Sequence, residues 1–243
     1  MRFFLGLAAG IFMGSAAGFG AAVNPNSAKF LPAIPGGYYF DAARLDARQI
    51  LPPPPARGSI FEQAEIETIL QVQAARTPEE VALAQTIEKD NLFNNACVLG
   101  AWFTKKNLPL TAAFFSKVDA DVSTVRTKDI FARKRPPFVD ERVRPCVHVS
   151  DTGAYPSGHS LRAWIWAALL SEIFPEHGGD FSERARSVGW ARVIGGTHYP
   201  SDTIAGQVLA KRIVTELFKN PAVRAEIERC REEAKPFVLK KAA

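Results

Sequence analysis

The segment Tyr155–Leu170, "YPSGHSLRAWIWAALL", joins two unlike halves. Its first six residues are polar, small or turn-forming, and the rest is an apolar run that reads as helix. Ser157 stands where an N-cap belongs, with Gly158 and His159 following into the first turn. Free N–H groups and the positive end of the helix dipole converge at such a terminus, which suits an anion. Gly158 lets the backbone approach a ligand closely, and Ser157 can cap the helix or bind an oxygen. His159 then stands beside the anion, placed to donate a proton. The same residues also read as a plain cap and a half-buried histidine, so the rest of the chain has to decide.

Helix signals surround this stretch. Ser59-x-x-Glu62 is a capping box opening a helix over 60–75. Thr77-Pro78-Glu79-Glu80 is a second box, predicting a helix that runs to about 103. Pro109 opens "LTAAFFSKV", and a further helix over 121–134 has to stop before Pro136-Pro137. Residues 158–174 and 182–194 are helical, the latter ending at Gly195-Gly196. Ile204, Val208, Ile213, Val214 and Leu217 share roughly one face of a helix over 201–219, and Pro221 opens a last one to about 234. "RPCVHVSD" (144–151) is one short strand or a loop. The pattern predicts an all-α chain: one helical domain over 59–243, preceded by a Pro/Gly-rich extended arm over 23–58 with Pro52–Pro55 in a polyproline-like form.

The composition fits a globular domain, with 47% apolar and 23% charged residues among 243. The net charge of +5 is spread among acidic residues rather than gathered in runs, so no nucleic-acid partner is expected. Residues 1–22 carry a single charge, Arg2, then the apolar "FFLGLAAGIFMG" and the small "SAAGFGAA". They read as a secretory signal peptide, cleaved after Ala22 or Ala17, with an N-terminal anchor as the competing reading. No later run reaches the ~18 apolar residues of a membrane span. The mature chain is therefore expected in the periplasm or outside the cell, without stable membrane insertion. Cys97, Cys146 and Cys230 allow at most one internal disulfide, with Cys146–Cys230 the conceivable pair. Their spacing matches no metal motif. A homo-oligomer is left open.

Three clusters carry chemistry. In the first, Lys128 and Arg135 are seven residues apart, nearly two turns of the expected helix, so both cations face the same way. Arg133 falls off that face and is expected to be dispensable. The second is Ser157-Gly158-His159. In the third, Arg192 precedes His198, which lies four residues before Asp202. At that spacing a carboxylate can hold one imidazole N–H and present the other nitrogen as a nucleophile. Alone, each cluster is equally a basic face, a cap or a surface pair. Together they supply three cations, Lys128, Arg135 and Arg192, the amides of the 157–159 turn, a nucleophile in His198, its orienter in Asp202 and an acid in His159. Phosphoryl transfer needs positioning and charge stabilisation, and these residues supply both without metal or cofactor.

"KDIFARKRP" (128–136), "PSGH" (156–159) and "ARVIGGTHYPSD" (191–202) resemble, in order and spacing, the K-x6-RP, PSGH and SR-x5-H-x3-D motifs of the type 2 phosphatidic acid phosphatase superfamily. With "ILPPPPARGS", "GAYPSGHS" and the signal segment, the chain looks most like the secreted class A bacterial nonspecific acid phosphatases over about residues 50–232. The resemblance implies an all-helical bundle shared with vanadium-dependent haloperoxidases, and phosphate monoester hydrolysis through a phosphohistidine on His198. It also implies His159 as general acid, and Lys128, Arg135, Ser157, Gly158 and Arg192 as phosphate ligands. Two residues depart from it. Ala191 replaces the motif serine, and Ala154 stands where class A proteins carry serine. The competing functions are a vanadium haloperoxidase, for which the chain is short, and a lipid phosphate phosphatase, which usually carries several membrane spans.

Overall fold

The computed structural model describes residues 31–242, so the signal segment and the start of the arm lie outside the described residues. Seven long helices build the domain: α1 Ile60–Ala75, α2 Pro78–Glu88, α3 Pro109–Ser123, α4 Gly158–Ile173, α5 Gly178–Ile194, α6 Pro200–Lys219 and α7 Pro221–Ala242. No strand occurs among the described residues, and 144–151 is a loop. Most helix starts follow local chemistry. Ser59 Oγ accepts from the Glu62 amide, and Thr77 and Glu80 form a reciprocal capping box. Proline leads α2, α3, α6 and α7, where its missing N–H costs nothing.

Two predicted helices are broken. The one expected from 78 to about 103 stops at Glu88. Asn91 restarts the chain by accepting from the Phe93 amide, and the path turns through Leu92–Asn95 and Ala96–Leu99 to Gly100. The one expected over 121–134 is reduced to a single turn, Lys128–Phe131. Ser123 and Thr124 bond back to the carbonyls of Ala120 and Asp121, which ends α3. Ala132 then sits in the left-handed region, at φ 45° and ψ 30°. Lys128 and Arg135 therefore flank a bend rather than share a helix face. The other boundaries move less: α5 begins at 178 rather than 182, and α7 runs beyond 234.

Helix α4 is the centre of the bundle. Leu161, Ile165, Trp166, Leu169, Leu170 and Ile173 are all buried and cover half of its circumference, and buried Ser160, Ala163 and Ala167 widen that arc further. Each such apolar side chain contributes about 1.5–3 kcal/mol on burial. Helix α4 packs chiefly on α5 and α6. The approach to α6 is closest at Gly206: a Cβ there would lie 2.7 Å from the Ser157 carbonyl oxygen and 2.9 Å from the Leu161 amide. The N-terminus of α4 is thus seated directly on α6.

The arm is tied down. The Asp121 carboxylate accepts from the amides of Tyr38, Tyr39 and Phe40, and Tyr155 donates its hydroxyl to the Pro52 carbonyl over 2.8 Å. It carries two short turns, Ala42–Arg44 and Ala47–Ile50. All three cysteines are free, so the conceivable Cys146–Cys230 bridge is not formed. Cys230 is buried in the core, while Cys146 turns its sulfur toward the Ile194 carbonyl. Among the described residues, no helix is long and apolar enough to cross a membrane.

Candidate active site

The candidate site lies where the start of α4, the end of α5, the start of α6 and the 128–135 bend meet. His198 and Asp202 are both closed from solvent. His198 Nδ1 lies 3.1 Å from Asp202 Oδ2. A carboxylate can only accept here, so Nδ1 carries the proton and Nε2 keeps its lone pair. That lone pair accepts from Arg135 Nη1 at 3.0 Å. Asp202 is the third residue of α6, and its Oδ2 also takes the Tyr199 amide at 2.9 Å. Its own carbonyl accepts from the Ser157 amide at 2.9 Å, tying the His–Asp pair to the α4 terminus.

The cations converge as the clusters suggested, though by a different route. Lys128 Nζ donates to the Gly153 and Pro156 carbonyls at 2.6 and 3.3 Å. Arg135 donates to the carbonyls of Thr152, Thr197 and Gly153. Both therefore meet at Gly153. Arg192, in the last turn of α5, is buried, yet its Nε and Nη1 have no hydrogen-bond partner among the described residues. Buried guanidinium N–H groups left unpaired are costly, and an oxyanion would satisfy them. The amides of Gly158 and His159 open α4 and by position have no intrahelical acceptor. A Cβ built on Gly158 would meet nothing within 4 Å, so the space beside this turn is open. Ser157 caps its own helix, accepting from the Ser160 amide at 3.4 Å.

The electrostatics follow from burial and crowding. Burial, then Arg135, pulls Lys128 down to about 8, with Arg192 adding to the effect and Asp202 opposing it. Burial pulls Arg192 down to about 10. Burial lowers His198 to about 4 against the pull of Asp202. His159 is pushed well below the usual imidazole range by burial and then by Arg192 and Arg162; a contact of its Nε2 with the Glu88 carbonyl, at 3.3 Å, opposes this. A carbonyl only accepts, so Nε2 carries a proton and Nδ1 is left as the nitrogen that gains or gives one. Burial pushes Asp202 up, but its bonds from His198, Arg133 and the Tyr199 amide outweigh that and hold it ionised.

Arg133 corrects the sequence reading. It was expected to lie off the working face and to matter little. It is buried, donates to Asp202 Oδ1 at 2.7 Å and to Glu65 at 2.7 Å, and lies 3.6 Å from the centre of the Tyr199 ring. Glu65 escaped the sequence reading altogether. Both depend on partners nearly seventy residues away, which no local pattern encodes. Ala191, where the motif has serine, is fully buried and adds no polar group beside Arg192.

An all-helical domain that buries a cationic cradle above a carboxylate-held histidine is built to hold a tetrahedral oxyanion. Comparison with known proteins agrees. The PAP2 superfamily matches residues 109–224. A non-specific acid phosphatase of Providencia stuartii is 31% identical over 214 residues, covering 82% of this chain and 85% of that protein. An acid phosphatase of Zymomonas mobilis subsp. mobilis is 28% identical over 230 residues, covering 90% and 84% respectively. Among solved structures, a bacterial vanadium-dependent iodoperoxidase superposes with a TM-score of 0.53 at 18% identity, over 72% of this chain and 54% of that one, which shows the fold. The chain belongs to the PAP2 superfamily, in its group of non-specific acid phosphatases.

Proposed function

We propose that the protein is a secreted, metal-independent acid phosphatase that hydrolyses phosphate monoesters through a phosphohistidine at His198. The observation that carries this is the pairing of His198 with Asp202 beneath a cradle whose Arg192 Nε and Nη1 lack partners among the described residues. The donors of that cradle are N–H groups of cations and of a helix terminus, which suit an anion rather than a metal cation. The relatives named acid phosphatase support the substrate class. The apolar leader over 1–22 supports export.

Each residue has a role. Lys128, Arg135, Arg192 and the amides of Gly158 and His159 hold the phosphoryl oxygens, with Ser157 shaping the turn. The Nε2 lone pair of His198 forms a bond to phosphorus as the ester P–O bond breaks. Asp202 stabilises the imidazolium that results. His159 gives its Nδ1 proton to the departing oxygen. Water then attacks the phosphohistidine, His159 takes back a proton, and phosphate leaves with His198 neutral again. Burial and the neighbouring cations disfavour the charged form of His159. A phosphate dianion among the three cations offsets their charge and restores the proton, which favours work on the acidic side of neutrality.

A panel of phosphate monoesters and diesters, assayed with and without chelator, tests this reading. Monoester hydrolysis that survives chelator is expected. Preference for diesters, or activity lost to chelator and restored by a divalent metal, contradicts it. Iodide oxidation with added vanadate and peroxide that outpaces ester hydrolysis would favour the haloperoxidase alternative.

A further inference from the structure

We propose that Arg133 and Glu65 form a positioning pair for the His198–Asp202 dyad, making α1 part of the working unit although it lies outside residues 109–224 that match the superfamily. The inference rests on the function proposed above. A continuous chain of bonds runs from the outer helix to the nucleophile. Glu65 accepts from the Ser201 amide at 2.7 Å, from the Ser201 hydroxyl at 3.0 Å and from Arg133 Nη2 at 2.7 Å. Arg133 Nη1 donates to Ser201 Oγ at 2.8 Å and to Asp202 Oδ1 at 2.7 Å. Asp202 Oδ2 holds the imidazole. The guanidinium lies over the Tyr199 ring, so its plane is fixed as well as its ends.

This arrangement does two things that His–Asp pairing alone does not. It fixes the plane of the carboxylate, because each oxygen has its own donors. It also divides the negative charge of Asp202. One oxygen serves the imidazole, while the other faces a full positive charge. A buried carboxylate facing only an imidazole would raise the proton affinity of that imidazole. A nucleophile that works in acid has to stay neutral there. Arg133 keeps Asp202 able to orient His198 without protonating it. Arg135 and Lys128 from the bend and His159 from α4 also act on His198, and Tyr155 and Tyr199 act on Asp202. Among the described residues, Arg133 alone is bonded to the oxygen of Asp202 opposite the imidazole.

The test compares the full-length enzyme with Arg133→Met, Arg133→Lys and Glu65→Gln. It follows kcat/KM for p-nitrophenyl phosphate against pH, with rapid-quench labelling of His198. Arg133→Met should lose roughly 10- to 100-fold in kcat/KM, by analogy with removal of the outer partner of a metal-bound imidazole. Its acid limb should move to higher pH, because Asp202 then bears fully on His198. Glu65→Gln removes the competing carboxylate from Arg133, whose charge then bears more strongly on Asp202, so its limb should move the opposite way. Arg133→Lys keeps the charge but loses the fork, so its turnover should fall with the limb nearly in place. A merely structural role would not move the two limbs in opposite directions. Arg133→Met within about twofold of wild type, the scale of a neutral substitution, would overturn the proposal. If Arg133→Met does not fold, an unmoved limb in Glu65→Gln overturns it equally. No label on His198 of the wild type overturns both this inference and the proposed function. Label present with unmoved limbs overturns the positioning pair alone.

Discussion

Arg135 Nη1 and His198 Nε2 lie 3.0 Å apart, so the lone pair proposed to attack phosphorus accepts a guanidinium N–H. Substrate has to draw that donor onto a phosphoryl oxygen before attack. Arg135→Ala should cost on the order of 100-fold in kcat/KM, the loss seen when one preorganised oxyanion donor is removed. Arg135→Lys should recover only part of it, because one ammonium cannot bridge the Thr152 and Thr197 carbonyls and the substrate at once. Steady-state kinetics on p-nitrophenyl phosphate decide the point. A lysine variant equal to wild type would mean that charge alone, not the fork, is what Arg135 supplies.

Anion binding should be linked to protons. His159 is depressed by burial and neighbouring cations, and burial and Arg135 pull Lys128 down to about 8. A bound dianion favours the charged form of both, so each has a higher pKa in the complex than in the free enzyme. Affinity should therefore rise as pH falls. Sulfate isolates the effect, since its own charge stays constant across the working range. Its inhibition constant should tighten steadily from alkaline pH toward mildly acidic pH, and His159→Ala should flatten the acidic part of the curve. A constant independent of pH in the wild type would contradict this electrostatic account.

The seat of the anion-binding turn is steric. Gly206→Ala would press a methyl group against the Ser157 carbonyl and the Leu161 amide, which are backbone atoms that cannot swing aside. The variant should lose roughly 1–3 kcal/mol of stability, the range for overpacking. It should also raise KM, as the α4 terminus shifts. Gly189→Ala is the control, since its added methyl meets nothing closer than 3.4 Å. Thermal denaturation and KM measured on both variants should separate them; equal behaviour would show that the α4–α6 contact is looser than described.

His159 should matter in proportion to the leaving group. An alkyl phosphate expels an alkoxide that needs a proton, so His159→Ala should nearly abolish its hydrolysis. p-Nitrophenolate leaves as a stable anion, so the first step should partly survive and phosphoenzyme should accumulate. A defect of equal size on both esters would remove His159 from the role of acid.

The sequence exposed what is local. Caps at Ser59 and Thr77 and prolines at 109 and 221 mark real helix starts because their effect reaches only one turn. The His198–Asp202 spacing was legible for the same reason. The bend at exposed Ala132 was not, since a left-handed alanine has no composition signal and the buried ion pairs and hydrogen bonds of Arg133 and Arg135 beside it reach distant residues. Lys128 and Arg135 do not share the helix face their spacing predicts; they meet at the Gly153 carbonyl across that bend. Arg133 was misjudged because its partners, Glu65 and Asp202, come from other helices. The same long-range packing hides Glu88, whose carbonyl meets His159.

The most direct measurement is the chemistry of the trapped intermediate. Enzyme quenched during turnover of phosphorus-labelled substrate should carry label on a nitrogen of His198, lost in acid and kept in alkali. The label should be more abundant in His159→Ala and absent in His198→Ala. Label kept in acid and mapped to a serine, or steady turnover by His198→Ala, would contradict the account.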